Sequence, residues 1–310
     1  MMRSPNSSSA AQRQHAVARP ATQATPRRND ARRRQSLHGF GLRVPHYRQL
    51  LEHGPRAPFV EAVSENFIGR GGPARAVLLR ARQDAELALH GVSLSLGGQD
   101  PLRADYLAQL DALQRELEPR FISDHLCFGT WQGHYAHDLW PLPYTDEALA
   151  HVVERIARVQ DRLQRRILIE NVSSYVEYRA SVMPEWQFLR EVAERADCEI
   201  LLDLNNVVVS AKNHGFDALE YIAGLPLERV AQLHLAGHTD YGTHAIDDHG
   251  SAVPAEVFAL HERVVERTGP VPAIVEWDDN VPTLDELLEQ CSRARAHEQA
   301  ALSIRMELQA

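Results

Sequence analysis

The sequence predicts an α/β chain folded as a single TIM (β/α)8 barrel behind a disordered N-terminal tail, and three observations carry that prediction. From Gly39 onward, eight short apolar runs alternate with amphipathic segments. Strands alternating with helices imply βαβ units and a parallel sheet. The chain has 310 residues, 44% of them hydrophobic, enough for one large core. Eight repeats over roughly 260 residues match the size of such a barrel. A doubly wound sheet is the competing architecture, but "GFGLRV" is not a GxGxxG at a strand–helix turn.

In chain order the apolar runs are "GFGLRV" (39–44), "FVEAVSENF" (59–67), "LALHGVSLSLG" (87–97) and "FISDHLCFG" (121–129). They continue with "ILIENVS" (167–173), "CEILLDLNNV" (198–207), "VAQLHLAGH" (230–238) and "AIVEWD" (273–278). Helical periodicity marks "YLAQLDALQREL" (106–117), "DEALAHVVERIARVQDRL" (146–163), "EWQFLREVAERA" (185–196) and "AEVFALHERVVERT" (255–268). Pro184 and Pro254 stand at helix starts, where a missing N–H costs little. The barrel domain is placed at 37–300.

Residues 1–36 read differently. Eight arginines against the single acid Asp30 make this segment +7, so the remainder carries −16 for a total of −9. The segment is nearly free of large apolar side chains and cannot offset its ordering entropy, so it reads as a disordered basic tail. Its Arg-rich character superficially resembles a transit peptide, but a solvated tail or a mis-assigned start codon is the preferred reading. The net negative charge argues against a nucleic-acid binder, and no apolar run reaches membrane-spanning length. Cys127, Cys198 and Cys291 are too few and scattered for a disulfide framework or a thiolate zinc site, which fits a reducing cytoplasm.

Nearly every strand run carries a metal-ligand type of residue at or beyond its middle, where a barrel of this kind gathers its active site. In order these are Glu65 and Asn66, His90, Asp124 and His125, Glu170 and Asn171, then Asp203, Asn205 and Asn206 with His214 beyond. The seventh run gives His234, followed by His238, Asp240, Asp247 and His249, and the eighth gives Glu276 and Asp278. Buried carboxylates and imidazoles are costly unless paired or coordinated, so a ring of them implies cations at its centre. A lone strand histidine is more often a satisfied core residue, but the company of acids reverses that reading for His125, His234 and His249. His151 and His261 are read as helix-surface residues, His134 and His137 as part of a long loop, and His38, His46 and His53 as structural. Mixed imidazole and carboxylate donors suit Fe, Mn, Zn or Co. The donors exceed what one octahedral ion accepts, so at least two metals are implied, with a carboxylate such as Glu170 able to bridge ions about 3.5–4 Å apart. Spacing does not separate an oxygen-activating iron site from a hydrolytic zinc or manganese site.

At these residues the sequence resembles a known family. "GFGLRVPHYRQLL", "SENF", "HGVSLSLGG", "SDHLCF", "HDLWPLPYTDEAL", "IENVSSY", "LLDLNNVVVSAKNHGF", "HLAGH", "IDDHG" and "IVEWD" are similar, in order and spacing, to the multinuclear non-haem iron-dependent oxidases. That family, long catalogued as domain of unknown function 692, includes the methanobactin-biosynthesis-type oxidase. The resemblance runs from about Gly39 to Glu289. It implies a TIM barrel holding two or three iron ions of mixed Fe2+/Fe3+ state, with O2 as co-substrate. It also implies a Cys-containing, ribosomally made precursor peptide, converted to oxazolone and thioamide, to thiooxazole, or by β-carbon excision. A leader-binding partner protein, in a heterodimer, would present the peptide. Carried over by motif, the metal ligands would be His90, His125, Glu170, Asp203, Asn205, His214, His234, Asp247, His249 and Glu276. Asn66, Asp124, Asn171, His238 and Asp240 would lie behind them or on the substrate side. Asp124 stands where members often have Glu, and Asp248 and Gly250 where Thr and Asp are common; these swaps flank the ligands without removing any. Two rival readings are a divalent-metal isomerase or hydrolase on a TIM barrel, of xylose-isomerase or endonuclease type, and a non-catalytic metal-binding or docking module.

Overall fold

A computed structural model describes residues 35–69 and 71–309. The tail expected over 1–36 lies outside the described residues except for Gln35 and Ser36. The elements run β1 (His38–Gly41), α1 (Tyr47–His53), β2 (Phe59–Val63), α2 (Gly72–Asp84), β3 (Glu86–Gly91), α3 (Ala104–Leu117) and β4 (Phe121–His125). Next come a hairpin of β5 (Phe128–Trp131) and β6 (His134–Trp140), then α4 (Asp146–Leu163), β7 (Leu168–Glu170), α5 (Glu185–Arg195) and β8 (Glu199–Asp203). The chain continues through α6 (Leu204–His214), α7 (Ala218–Gly224), β9 (Val230–Leu235), the short pair β10 (Thr239–Asp240) and β11 (Ala245–Ile246), α8 (Ala255–Thr268), β12 (Ala273–Val275) and α9 (Leu284–Gln309).

Eight strands, one from each expected run, close into a barrel in the ring order β1, β2, β3, β4, β7, β8, β9, β12, every neighbouring pair parallel. The expected (β/α)8 barrel is therefore the fold. The last helix continues past the expected boundary at 300, to Gln309. Residues 134 and 137, expected in a loop, instead lie in the antiparallel β5–β6 hairpin, whose register shifts between Phe128 and Thr130.

Local chemistry explains the helix ends. On α4, Thr145 caps the N-terminus by accepting from the Ala148 N–H at 3.2 Å, and Asp146 and Glu147 face the positive end of the dipole. Its Leu149, Val152, Ile156, Val159 and Leu163 recur at three- and four-residue spacing and are buried against the barrel. Asp203 caps α6 in the same way, and Gly215 at φ 76° ends that helix in the left-handed conformation that glycine allows without strain.

Inside the barrel, Phe59, Ala88, Phe121, Leu168, Leu201, Ala231 and Ile274 form a separate apolar cluster of buried side chains, a plug across its lower half. Side chains two residues apart on a strand share a face. The next inward layer above the plug is therefore Glu61, His90, Ser123, Glu170, Asp203 and Glu276, all buried. On β1 the equivalent residues are glycines. Gly39 lies level with Phe59, and a Cβ there would sit 1.7 Å from the Phe59 carbonyl oxygen. On β9 the register shifts. Ile200 pairs with Val230 but Leu201 pairs with Gln232, so Ala231 is an extra residue and the strand's inward parity changes to Gln232 and His234.

Candidate metal centre

The polar layer converges on Glu170. His90 Nε2 lies 3.2 Å and His125 Nε2 3.1 Å from Glu170 Oε2. His234 Nδ1 lies 3.1 Å from Glu170 Oε1, 3.0 Å from Glu276 Oε2 and 3.9 Å from Asp203 Oδ2. Two donor groups result, His90–His125–Glu170 and Glu170–Asp203–His234–Glu276, and Glu170 belongs to both. A third group at the mouth joins His249, Glu276 and Asp278, with His249 Nδ1 3.7 Å from Glu276 and 3.4 Å from Asp278. Asp247 Oδ1 stands 2.7 Å from the other ring nitrogen of His249.

Which atoms carry protons decides whether cations fit. His125 Nδ1 is 3.0 Å from the Gly91 carbonyl oxygen, which can only accept, so Nδ1 bears the hydrogen. Burial pulls the His125 pKa down to about 4, so the ring is neutral and Nε2 presents a lone pair to Glu170 Oε2. Burial, with His125 and His234 nearby, also keeps His90 neutral, and its Nδ1 is held by Ser123 Oγ at 2.8 Å. Glu170 Oε2, with these imidazole nitrogens about it, has no hydrogen-bond partner among the described residues. Converging lone pairs repel unless a proton or a metal cation sits among them.

Asp203 repeats the pattern. Its Oδ1 accepts from the Asn206 N–H at 2.6 Å, while Oδ2, wholly buried, has no hydrogen-bond partner among the described residues. Burial and the neighbouring Glu170 push the Asp203 pKa well up, and burial pushes Glu170 up to about 7. Divalent cations would allow both to ionise. On the far side of His234, Nε2 is 2.9 Å from Glu61 Oε1, which leaves Nδ1 free to face the other three carboxylates. A carboxylate behind a ligating imidazole is the usual way to fix the ring's tautomer.

The structure thus brings together His90, His125, Glu170, Asp203, His234 and Glu276, with His249 and Asp247 at the rim. Asn205 stands one layer back, its Nδ2 donating to Asp247 Oδ1 at 2.8 Å and its Oδ1 2.8 Å from His238 Nδ1. His214 does not join. It sits at the last residue of α6 with Nε2 on the Ser174 carbonyl at 3.0 Å, because the helix carries it away from the mouth. Asn171 backs Asp203, accepting from its N–H and donating to its carbonyl, each at 2.9 Å. Asp124 accepts from the His125 and Leu94 N–H groups, fixing the strand end and loop that carry these histidines. Asp240 is exposed and pairs with Lys212, and Asn66 is exposed in the 3-10 turn after β2.

Sequence reasoning passed over Glu61, Ser123 and Arg43. Inward alternation from Phe59 points to Glu61, and from Phe121 to Ser123. Arg43 forms ion pairs with Asp278 and, at 3.7 Å, with Glu276. A cavity of about 320 Å³ opens above the cluster, with His137, Tyr175 and Arg43 among its walls. A larger groove of about 420 Å³ along α6, α7 and α8 holds none of the clustered donors.

Comparisons with known proteins bear on the family and the fold. Residues 37–299 match the family model described as RiPP precursor modification enzyme MbnB/TglH/ChrH. A UPF0276 protein of Anaeromyxobacter sp. (strain Fw109-5) is 56% identical over 271 residues, covering 87% of this chain and 96% of the relative. A UPF0276 protein of Caulobacter vibrioides (strain NA1000 / CB15N) is 48% identical over 259 residues, covering 83% and 92%. Among solved structures, endonuclease IV from Thermus thermophilus has a TM-score of 0.54 at 15% identity, covering 86% of this chain and 99% of that one. A D-psicose 3-epimerase from Clostridium cellulolyticum H10, solved with D-tagatose, has a TM-score of 0.51 at 11% identity, covering 87% and 98%. Likenesses at such low identity concern the barrel alone.

Proposed function

Because this chain belongs to the MbnB/TglH/ChrH family of RiPP precursor modification enzymes, we propose that it oxidises a cysteine of a precursor peptide with O2 at a cluster of two or three iron ions. The observation that carries the reading is the convergence of neutral imidazole lone pairs and unpartnered carboxylate oxygens on one buried point. His90, His125 and Glu170 would hold one ion, and Glu170, Asp203, His234 and Glu276 a second, with Glu170 as the bridge. His249, with Asp247 or Asp278, would hold a third. Iron held by these residues would supply one-electron redox chemistry and an affinity for a soft cysteine thiolate.

The protein's own side chains do the rest. The Gly91 carbonyl takes the Nδ1 hydrogen of His125 and turns its Nε2 lone pair toward Glu170, Ser123 would accept from His90 Nδ1 with a metal on Nε2, and Glu61 would accept from His234 Nε2. Arg43 offsets negative charge at Glu276 and Asp278. The apolar plug closes the cluster from below, and the cavity above would receive the short side chain of a cysteine. A separate protein that binds the peptide leader would present the substrate at this mouth.

The test is coexpression of the chain with a Cys-containing precursor and its leader-binding protein, followed by mass spectrometry of the peptide. The expected result is an O2-dependent mass change at cysteine, lost in Glu170→Gln together with iron. Turnover in the absence of O2 with Zn, Mn or Mg would instead select a divalent-metal isomerase or hydrolase.

A further inference from the structure

At the opposite end of the barrel lies a separate group of donors. His38 opens β1, level with Ala273, whereas the mouth ligand Glu276 is just beyond the end of β12. At roughly 3.3 Å of rise per residue the two levels are about 10 Å apart along the strand. Gly39 faces inward beside Phe59, so alternation turns His38 the other way, out between the sheet and the helices. There it meets His261 of α8 and Glu298 of α9, and the ligand atoms of all three lie within 4.8 Å of one another. His38 is 5% exposed, and His261 and Glu298 are wholly buried. His38 Nε2 is 3.8 Å from Glu298 Oε2.

We propose that His38, His261 and Glu298 form a second divalent transition-metal site, of the zinc class, that pins α8 and α9 to β1 where the barrel closes on itself. Three observations bear on it. Both ring nitrogens of His261, and Nε2 of His38, are buried and have no hydrogen-bond partner among the described residues. Burying a polar group of this kind without a partner is costly, and native proteins leave few of them. Burial holds His38 at about 4 and His261 at about 3, so both rings are neutral and offer lone pairs at neutral pH. Two imidazoles and one carboxylate are a donor set that zinc accepts with a fourth position left over for water.

The placement gives such an ion a structural task. β1 pairs with β12 at the seam that joins the first strand to the last, and α8 and α9 flank β12 in sequence. An ion bound to all three residues would link the two ends of the folded chain. It would owe nothing to the mouth cluster, because the two groups share no residue.

The test uses the full chain, stripped of metal and then given Zn2+ alone. In wild-type crystals, anomalous scattering at the zinc edge is expected to give a peak between His38, His261 and Glu298 in addition to any at the mouth. In solution, Glu298→Gln and His261→Gln should each bind one equivalent of zinc fewer than wild type and lose part of the zinc-dependent rise in Tm. Should either variant fail to fold, the wild-type anomalous map decides. Absence of a peak at this position, or unchanged zinc stoichiometry in folded variants, overturns the proposal.

Discussion

Ser123→Ala removes one oxygen atom and tests the lone-pair argument directly. Ser123 is buried in β4, and its Oγ sits 2.8 Å from His90 Nδ1. When His90 turns its Nε2 lone pair to a metal, Nδ1 carries the hydrogen and donates it to that hydroxyl. Outer partners of ligating histidines are worth about 10–100-fold in metal affinity. That corresponds to about 1.4–2.7 kcal/mol. With metal in excess the bound protein loses the same amount of stability. For a chain of this size, at about 2.1 cal/mol/K of unfolding entropy per residue, the corresponding fall in Tm is about 2–5 °C. Alanine also leaves the Nδ1–H of the metal-bound form without an acceptor, whereas the metal-free ring can carry its hydrogen on Nε2, 3.2 Å from Glu170 Oε2, so the cost falls on the bound form. The assay is therefore affinity: anaerobic Fe2+ competition against a chelator, with the metal-free Tm as a folding control. Binding within about twofold of wild type, in a folded variant, would refute the claim that Ser123 sets the nitrogen that His90 presents; the twofold bound is about 0.4 kcal/mol.

Glu185 provides a test of buried charge away from the mouth. Burial pushes its carboxyl from 4.5 up to about 7, against hydrogen bonds with Tyr221 and Tyr144. The folded chain then keeps a proton that the unfolded chain releases, so this stabilisation is complete below pH 4.5 and is lost as pH rises through about 7. The loss is about 3 kcal/mol. Glu185→Gln should flatten the decline in urea stability between about pH 5 and 7, and equal slopes for both proteins would count against the assignment. Gly39→Ala should cost upward of about 4 kcal/mol, because its Cβ would collide with the backbone of Phe59. Gly71→Ala, where a Cβ meets nothing within 4 Å, is the matched control, and soluble yield with urea midpoints compares the two.

The barrel is legible because each strand is an apolar run bounded by amphipathic segments, and because acids inside such runs demand an explanation. Asp203 and Glu170 stand out for that reason. Glu61 does not, since "FVEAVSENF" offers two glutamates and the one nearer the strand end draws the eye; inward alternation from Phe59 selects Glu61 instead. His261 reads as a surface residue in the sequence, yet it is fully buried, and its spacing from Val257, Val264 and Val265 already places it on the apolar face of α8. His151, with the same surface reading, is half-buried, with Nε2 on the Gly98 carbonyl at 2.8 Å. The β5–β6 hairpin escapes notice because β6 is almost wholly exposed and its register is interrupted, so neither alternation nor apolarity marks it. The extra residue in β9 is likewise a property of pairing with β8, which no single strand reveals.

The plug of Phe59, Phe121, Leu168, Leu201 and Ile274 turns the cavity into a cul-de-sac. A peptide that threads its side chain inward must back out by the same door, so product departure and the next arrival contend for a single entrance. In the proposed reaction, O2 consumed below the seated substrate would have to be in place before the peptide corks the opening, or slip past it. Order of entry is thus dictated by the architecture of the floor, far from the atoms that react.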